Sequence, residues 1–252
     1  MIFNILSVFR ELIKPSLKYG VLSKGIKKNK IKVNIFSYSD YLNDGDRLDD
    51  KQFGGEPGMV IKYQNASRAI NAIKKSNPKT KVIFLTPKGK KLDNNLAKEM
   101  SKMGNISIIC GRYEGFDERI IDQYSDLEVS IGDYIVSGGE YPAVILMDSI
   151  SRMVKGVIGN EESVENDSLS NSLLKPPVYT RPAELKVGKV PKLITGGNHK
   201  KIKNFNRQES ILSTLKRRED LLETTDLKID ERELLRKVKR GDIKSNAYLA
   251  LV

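Results

Sequence analysis

Three glycine-rich segments gather the residue types best suited to chemistry in this chain: Leu48–Met59 (LDDKQFGGEPGM), Cys110–Arg119 (CGRYEGFDER) and Ser130–Pro142 (SIGDYIVSGGEYP). Glycine lets a backbone approach a ligand closely or turn through positive φ without a Cβ clash. None of the three carries Gly-Lys-Ser/Thr after four spacer residues, and none reads G-x-G-x-x-G after a first strand. Nucleotide cradles of those two kinds are therefore excluded. Cys110 is the only cysteine and His199 the only histidine. That removes disulfides, thiolate metal clusters and His-rich metal sites, along with any Ser-His-Asp or Cys-His arrangement built on another histidine or cysteine. Cys110 reads as a small core residue and His199 as a packing or loop residue. Taken singly, each glycine segment reads as a turn. Three together, two of them directly after strands, read as the wall of a ligand site.

The elements that must position these loops are legible as alternating patterns. Ile2–Phe9, Lys32–Tyr38, Lys81–Leu85, Ile106–Cys110 and Leu127–Ile131 are predicted strands, rich in Ile, Val and Phe. Helices are predicted at about 15–28, 65–76, 93–103 and 141–154. Strand and helix in alternation imply a parallel α/β sheet, whose ligand sites lie at the carboxyl ends of its strands. Residues 160–172 (NEESVENDSLSNS) break the composition and read as a polar linker or lid. Two amphipathic helices follow, at about 200–222 and from Asp230, where Glu233 suggests a capping box. The division predicted is a ligand-binding α/β domain at 1–159, a linker at 160–172 and a basic helical domain at 173–252.

The chain has 252 residues, 39% hydrophobic and 30% charged, the balance of a globular protein able to bury a core. Its apolar N-terminus is too short for a signal peptide, and nothing approaches a membrane span, so a cytoplasmic enzyme is expected. Residues 1–172 carry 25 Lys and Arg against 22 Asp and Glu, while residues 173–252 carry 19 against 10. The basic excess of the last third would draw a polyanion such as RNA through phosphate neutralisation.

GRYEGFDER (Gly111–Arg119), SIGDYIVSGGE (Ser130–Glu140), KGVIGNEES (Lys155–Ser163), VYTRP (Val178–Pro182) and GGNHKKI (Gly196–Ile202) form an ordered set spread over nearly the whole chain. In order and spacing this set resembles the bacterial tRNA (guanine-N1)-methyltransferases of the SPOUT class. The resemblance implies an α/β fold whose parallel sheet carries a deep trefoil knot, followed by a small C-terminal helical domain. It also implies S-adenosylmethionine bound by the knotted loops, a tRNA substrate gripped at its anticodon stem-loop, and a homodimer whose active sites lie at the subunit interface. The implied cofactor wall is Leu85, Thr86, Pro87 and Gly89; Gly111, Tyr113, Glu114 and Gly115; and Ile131, Gly132, Asp133, Tyr134, Ile135, Val136, Gly138, Gly139 and Pro142. A magnesium requirement belongs to the same resemblance, although the sequence offers no carboxylate cluster that demands a metal.

Guanine N1 carries a proton at neutral pH, so a base must remove it while negative charge develops toward O6. By resemblance the base is Asp167 and the cation near O6 is Arg152. Asp49, Pro57, Gly58 and Glu114 would hold the guanine, and Lys200, Lys201, Lys203 and Arg207 would contact phosphates. The chain departs from the family in two places. Glu56 replaces a glycine of the first loop, and the tryptophan expected near Phe205 is missing. The linker is expected to order only on RNA binding. Two other readings stand beside this one: a non-catalytic RNA-binding homologue, and a SPOUT enzyme acting on a ribose 2′-oxygen or an rRNA base.

Overall fold

The computed structural model describes residues 1–159, 167–170 and 172–241. The chain divides into two compact units, Met1–Glu161 and Glu162–Val252. In the first, five parallel strands form one sheet: β1 (Ile2–Ser7), β2 (Lys32–Ser37), β5 (Lys81–Lys91), β6 (Asn105–Ile109) and β7 (Leu127–Ser130). Their order across the sheet is β2-β1-β6-β5-β7. Five helices join them: α1 (Gly20–Lys27), α2 (Tyr63–Ser76), α3 (Asn94–Ser101), α4 (Glu118–Tyr124) and α5 (Glu140–Met153). A short hairpin of β3 (Asp49–Lys51) and β4 (Met59–Ile61) carries the first glycine segment at its turn.

Two apolar layers sandwich the sheet because side chains alternate along each strand. In β5, Ile83 and Leu85 join one cluster with Leu22 of α1, Leu96 and Met100 of α3, and Leu146, Met147 and Ile150 of α5. Val82 and Phe84 join the other, with Ala66, Ile70 and Ile73 of α2 and Ile120 and Tyr124 of α4. Buried polar groups along the strands find partners: the Asn4 amide donates to Asn105 Oδ1 at 2.9 Å, and Asn34 donates to Asn4 Oδ1 at 2.8 Å.

Several elements differ from the periodicity reading. The first predicted helix splits into a 3-10 turn at Lys14–Lys18 and α1, which begins at Gly20 with φ +66°. Helix α4 was absent from the expected set, because its seven residues are too few to show a helical period against the glycine segment before it. Its start is fixed by Asp117, whose carboxylate accepts from the Arg119 amide at 3.1 Å. Strand β5 runs six residues further than predicted. Leu85 and Lys90 both pair with Val129, so residues 86–89 loop out of the ladder and the strand then resumes.

Among its described residues the second unit holds a hairpin, β8 (Glu184–Leu185) with β9 (Gly188–Lys189), and three α-helices: α6 (Lys192–Thr195), α7 (His199–Arg217) and α8 (Ile229–Arg240). Asn198 caps α7 through the Lys201 amide at 3.1 Å. Leu173, Ile211, Leu227 and Leu235 form its core, and Phe205, near which a tryptophan was expected, is buried. The capping box expected at Asp230 and Glu233 lies elsewhere. Glu231 accepts from the Lys228 amide at 2.9 Å, and Glu233 instead pairs with Lys237 one turn on. No helix among the described residues is long and apolar enough to cross a membrane.

Candidate active site

At the carboxyl ends of β5, β6 and β7 the loops enclose a cleft of about 280 Å³, near the lower end of the range for small-molecule sites. Its lining includes Leu85, Thr86, Pro87, Gly111, Tyr113, Glu114, Gly115, Ile131, Gly132, Tyr134, Ile135, Val136, Gly138, Gly139 and Pro142. Two residues of the expected wall lie off it. Gly89 sits where β5 rejoins the sheet, and a Cβ there would lie 2.4 Å from the Val129 nitrogen. Its smallness serves strand packing. Asp133 turns outward, pairing with Lys91 at 2.7 Å, and is almost fully exposed.

The glycines do two kinds of work in this cleft. Gly132 (φ +143°) and Gly115 (φ +105°) occupy backbone conformations that L side chains rarely adopt. Gly139 is required by close approach instead. Its amide donates to the Gly111 carbonyl at 2.9 Å, and a Cβ would stand 2.6 Å from the Cys110 Cα. The loop after β7 is thus laid directly on the loop after β6. Tyr113 holds φ +60° without being glycine, local strain of the kind found at ligand sites.

The first glycine segment joins this site through backbone bonds. The Glu114 amide donates to the Met59 carbonyl and the Ile61 amide to the Gly115 carbonyl, each at 2.9 Å. Gly58 (φ +109°) faces Glu114 so closely that a Cβ would lie 2.5 Å from its Cγ. Gly58 and Glu114 are therefore brought together, while Pro57 lies in the hairpin turn, its carbonyl accepting from Gln52. Asp49, in β3, lies 3.8 Å from Arg47. Gly54, Gly55 and Gly58 take positive φ, but Glu56 does not. The substitution at Glu56 therefore needs no strained backbone.

Arg112, which no motif reading singled out, also lines the cleft. Its guanidinium lies over the Phe9 ring at 4.5 Å, and its Nε is 3.3 Å from Glu140 Oε2. Glu140 is buried and accepts from Ser7 Oγ at 2.9 Å. Ser7, Phe9 and Glu140 lie far from Arg112 in the chain, so only an alignment of relatives could have signalled the group. Cys110 is fully buried. Burial first, then the Glu140 carboxylate, holds its thiol well above the usual range, so it stays protonated and is no nucleophile.

Arg152 lies in the last turn of α5, in the first unit. Asp167 belongs to the second unit, where its carboxylate accepts from Lys175 Nζ at 2.6 Å. Of the predicted linker, residues 160–166 and 171 fall outside the described residues, and with them the expectation that it orders on RNA. Lys200, Lys201 and Lys203 are exposed on α7, as is His199 at its start. Arg207 differs. Its fork is occupied by Glu231, with nitrogen–oxygen distances of 2.8 and 3.1 Å, and it also donates to the Asp226 carbonyl. Among the described residues no group of three or more His, Cys, Asp or Glu could hold a metal ion.

A doubly covered parallel sheet with a glycine-built cleft at its carboxyl edge defines the class of α/β enzymes. The chain matches the family described as tRNA (Guanine-1)-methyltransferase TrmD over residues 1–224. It is 41% identical to a tRNA (guanine-N(1)-)-methyltransferase of Hahella chejuensis over 96% of this chain and 94% of that protein. Proteins of the same name from Caldicellulosiruptor saccharolyticus and Vibrio vulnificus are 45% and 42% identical, covering 93% and 92% of this chain and 96% and 94% of theirs. The chain belongs to the tRNA (guanine-N1)-methyltransferase family.

Proposed function

We propose that the protein transfers a methyl group from S-adenosylmethionine to N1 of guanine 37 in tRNA, beside the anticodon. The observation that carries this reading is the cleft: three loops of the sheet converge there, in a chain whose family is named for N1 methylation of guanine in tRNA. Its lining fits the donor. The amides of Ile135, Val136, Ser137 and Gly138 make no hydrogen bond among the described residues, which leaves backbone donors for a purine. Leu85, Ile131, Val136 and Pro142 add apolar wall, and Tyr113 and Tyr134 add aromatic faces. S-adenosylmethionine would supply an electrophilic methyl group on a sulfonium sulfur.

The chain's own residues have the remaining tasks. Asp167 accepts the N1 proton, and Arg152 stabilises the charge that develops on O6. Glu114, cradled by Gly58, accepts from the guanine N2 amino group, with Asp49 and Pro57 completing the base pocket. The target base must leave its stack to reach them. Among the described residues no cluster of three or more His, Cys, Asp or Glu offers a metal site, and no step is assigned to a metal. We extend the reading to a cytoplasmic homodimer with shared active sites. Its support is the exposed apolar surface of Ile135, Tyr141 and Ile145 beside the cleft. A trefoil knot, implied by the family resemblance, belongs to the same proposal.

The reading is tested by methylating an anticodon stem-loop transcript carrying guanine at position 37 and the same RNA carrying adenine. Incorporation into the guanine RNA alone is expected. Incorporation into both, or into neither, overturns the assignment.

RNA grip in the second unit falls to Lys200, Lys201 and Lys203, with Arg207 serving the fold. The Arg207 guanidinium holds the Glu231 carboxyl below its usual range. A depressed carboxyl contributes stability above its unfolded value, and that stability is lost as pH falls through the folded one. Glu231 is 7% exposed and Arg207 35%, so the pair lies between the surface and buried limits. Arg207→Met is therefore expected to cost about 1–2 kcal/mol at pH 7. The difference from the native chain should shrink as pH falls below the unfolded carboxyl's value and disappear once it has passed through the depressed folded one, as read by urea unfolding. A difference that persists undiminished there would exclude the ion pair as its source.

A further inference from the structure

The basic charge of the first unit is concentrated at one place, away from the cleft. Residues 1–32 carry eight Lys and Arg against one acid, whereas residues 33–161 carry seventeen against eighteen. From Lys14 to Lys32 the chain has seven lysines and no acid. The fold gathers several of these round a groove of about 850 Å³, lined by Lys14, Lys18, Lys30 and Lys32 with a floor of Leu17, Ile26, Ile31 and Val33. All four lysines are exposed. Lys14 pairs with Glu11 at 2.6 Å. Lys18, Lys30 and Lys32 make no ion pair among the described residues.

The position of this groove decides what it can touch. Met1, Ile2, Lys32 and Val33 stand at the amino ends of β1 and β2, while the cleft lies at the carboxyl ends of parallel strands in the same sheet. A six-residue strand spans roughly 20 Å, so a phosphate held in the groove is at least one strand length from the reacting base. Lysine ammonium groups act as point charges for phosphates without reading sequence. A concave groove with lysines on its rim suits the convex ridge of a duplex backbone better than a flat lipid surface.

We infer that this groove is a second RNA-binding surface, which takes the phosphate backbone of a tRNA outside its anticodon stem-loop. The inference rests on the tRNA reading for its choice of polyanion. It adds a contact that neither the cleft nor the basic helix α7 supplies.

The test compares Lys18→Gln/Lys30→Gln/Lys32→Gln with the unaltered full chain. Equilibrium binding of full-length tRNA and of an anticodon stem-loop is measured across a salt series. The variant is expected to bind full-length tRNA about ten-fold more weakly at low salt, with the slope of log affinity against log salt reduced by about two. Stem-loop affinity, donor affinity and the thermal unfolding midpoint should stay within error. An unchanged slope, or an equal loss on the stem-loop, overturns the inference. So does unaltered tRNA affinity with lost binding to phosphatidylserine vesicles, which would assign the groove to a membrane surface. Should the triple variant unfold, Lys18→Gln and Lys32→Gln are read singly for about a two-fold loss each, and no loss in either overturns the inference. Because binding is read without turnover, failure of the native chain to methylate guanine would count against the methyl-transfer reading alone.

Discussion

Asp167→Asn is expected to lower single-turnover methyl transfer to guanine N1 by about two to four orders of magnitude, the usual range for loss of a positioned general base. Donor affinity should be unchanged. The swap is isosteric and removes the capacity to take a proton together with the negative charge. The carboxylate pairs with Lys175 across 2.6 Å, with Asp167 30% and Lys175 42% exposed. Loss of that largely solvated pair should cost under about 1 kcal/mol of stability. Rate and stability are thereby separable in one variant. Rapid-quench measurement with saturating donor and stem-loop RNA reports the chemical step directly. A rate within three-fold of the native chain would transfer the base to another group, and Glu114 is a carboxylate of the cleft to examine next.

The second large effect is expected at Gly139, where the requirement is steric and independent of the chemistry. Alanine there would place a carbon 2.6 Å from Cys110 Cα and 2.9 Å from the Gly111 nitrogen. Both are backbone atoms and cannot rotate away. The loop after β7 must lift from the loop after β6, and overpacking of this kind costs about 1–3 kcal/mol. If that cost falls on the bound state, Gly139→Ala weakens donor binding by roughly five- to 150-fold, since 1.4 kcal/mol is a factor of ten. Gly54→Ala supplies the contrast. Its Cβ would meet nothing within 4 Å, so only the positive φ opposes it, and donor affinity should hold. Calorimetric titration with S-adenosylmethionine distinguishes the two sites. Equal affinities for both variants would show that the contact between the loops does not shape the pocket.

The basic groove and the cleft divide the first unit by strand direction. Chemistry is assigned to one end of the parallel sheet and backbone grip to the other. This arrangement explains why net charge over residues 1–172 is a poor guide to the unit. An excess confined to the first 32 residues is diluted by a nearly neutral remainder.

The sequence by itself determined the features that repeat over short range. Short runs rich in Ile, Val and Phe marked all five strands of the main sheet, because such a run shows within four or five positions. Ordered motifs carried the family, and with it fifteen residues that do line the cleft. The tertiary structure alone decided what distant segments do to one another. Gly89 and Gly139 look alike in the sequence, yet one packs against β7 and the other seats a loop on Gly111. Arg207 reads as one more phosphate-binding cation until Glu231, 24 residues away, is found in its fork. Arg112 gains its setting from Glu140, Phe9 and Ser7, which the fold brings beside it from other strand ends. The physical reason is the same in each case. Local propensity acts between neighbours along the chain, whereas close approach and ion pairing act through space and exist only after the sheet has assembled.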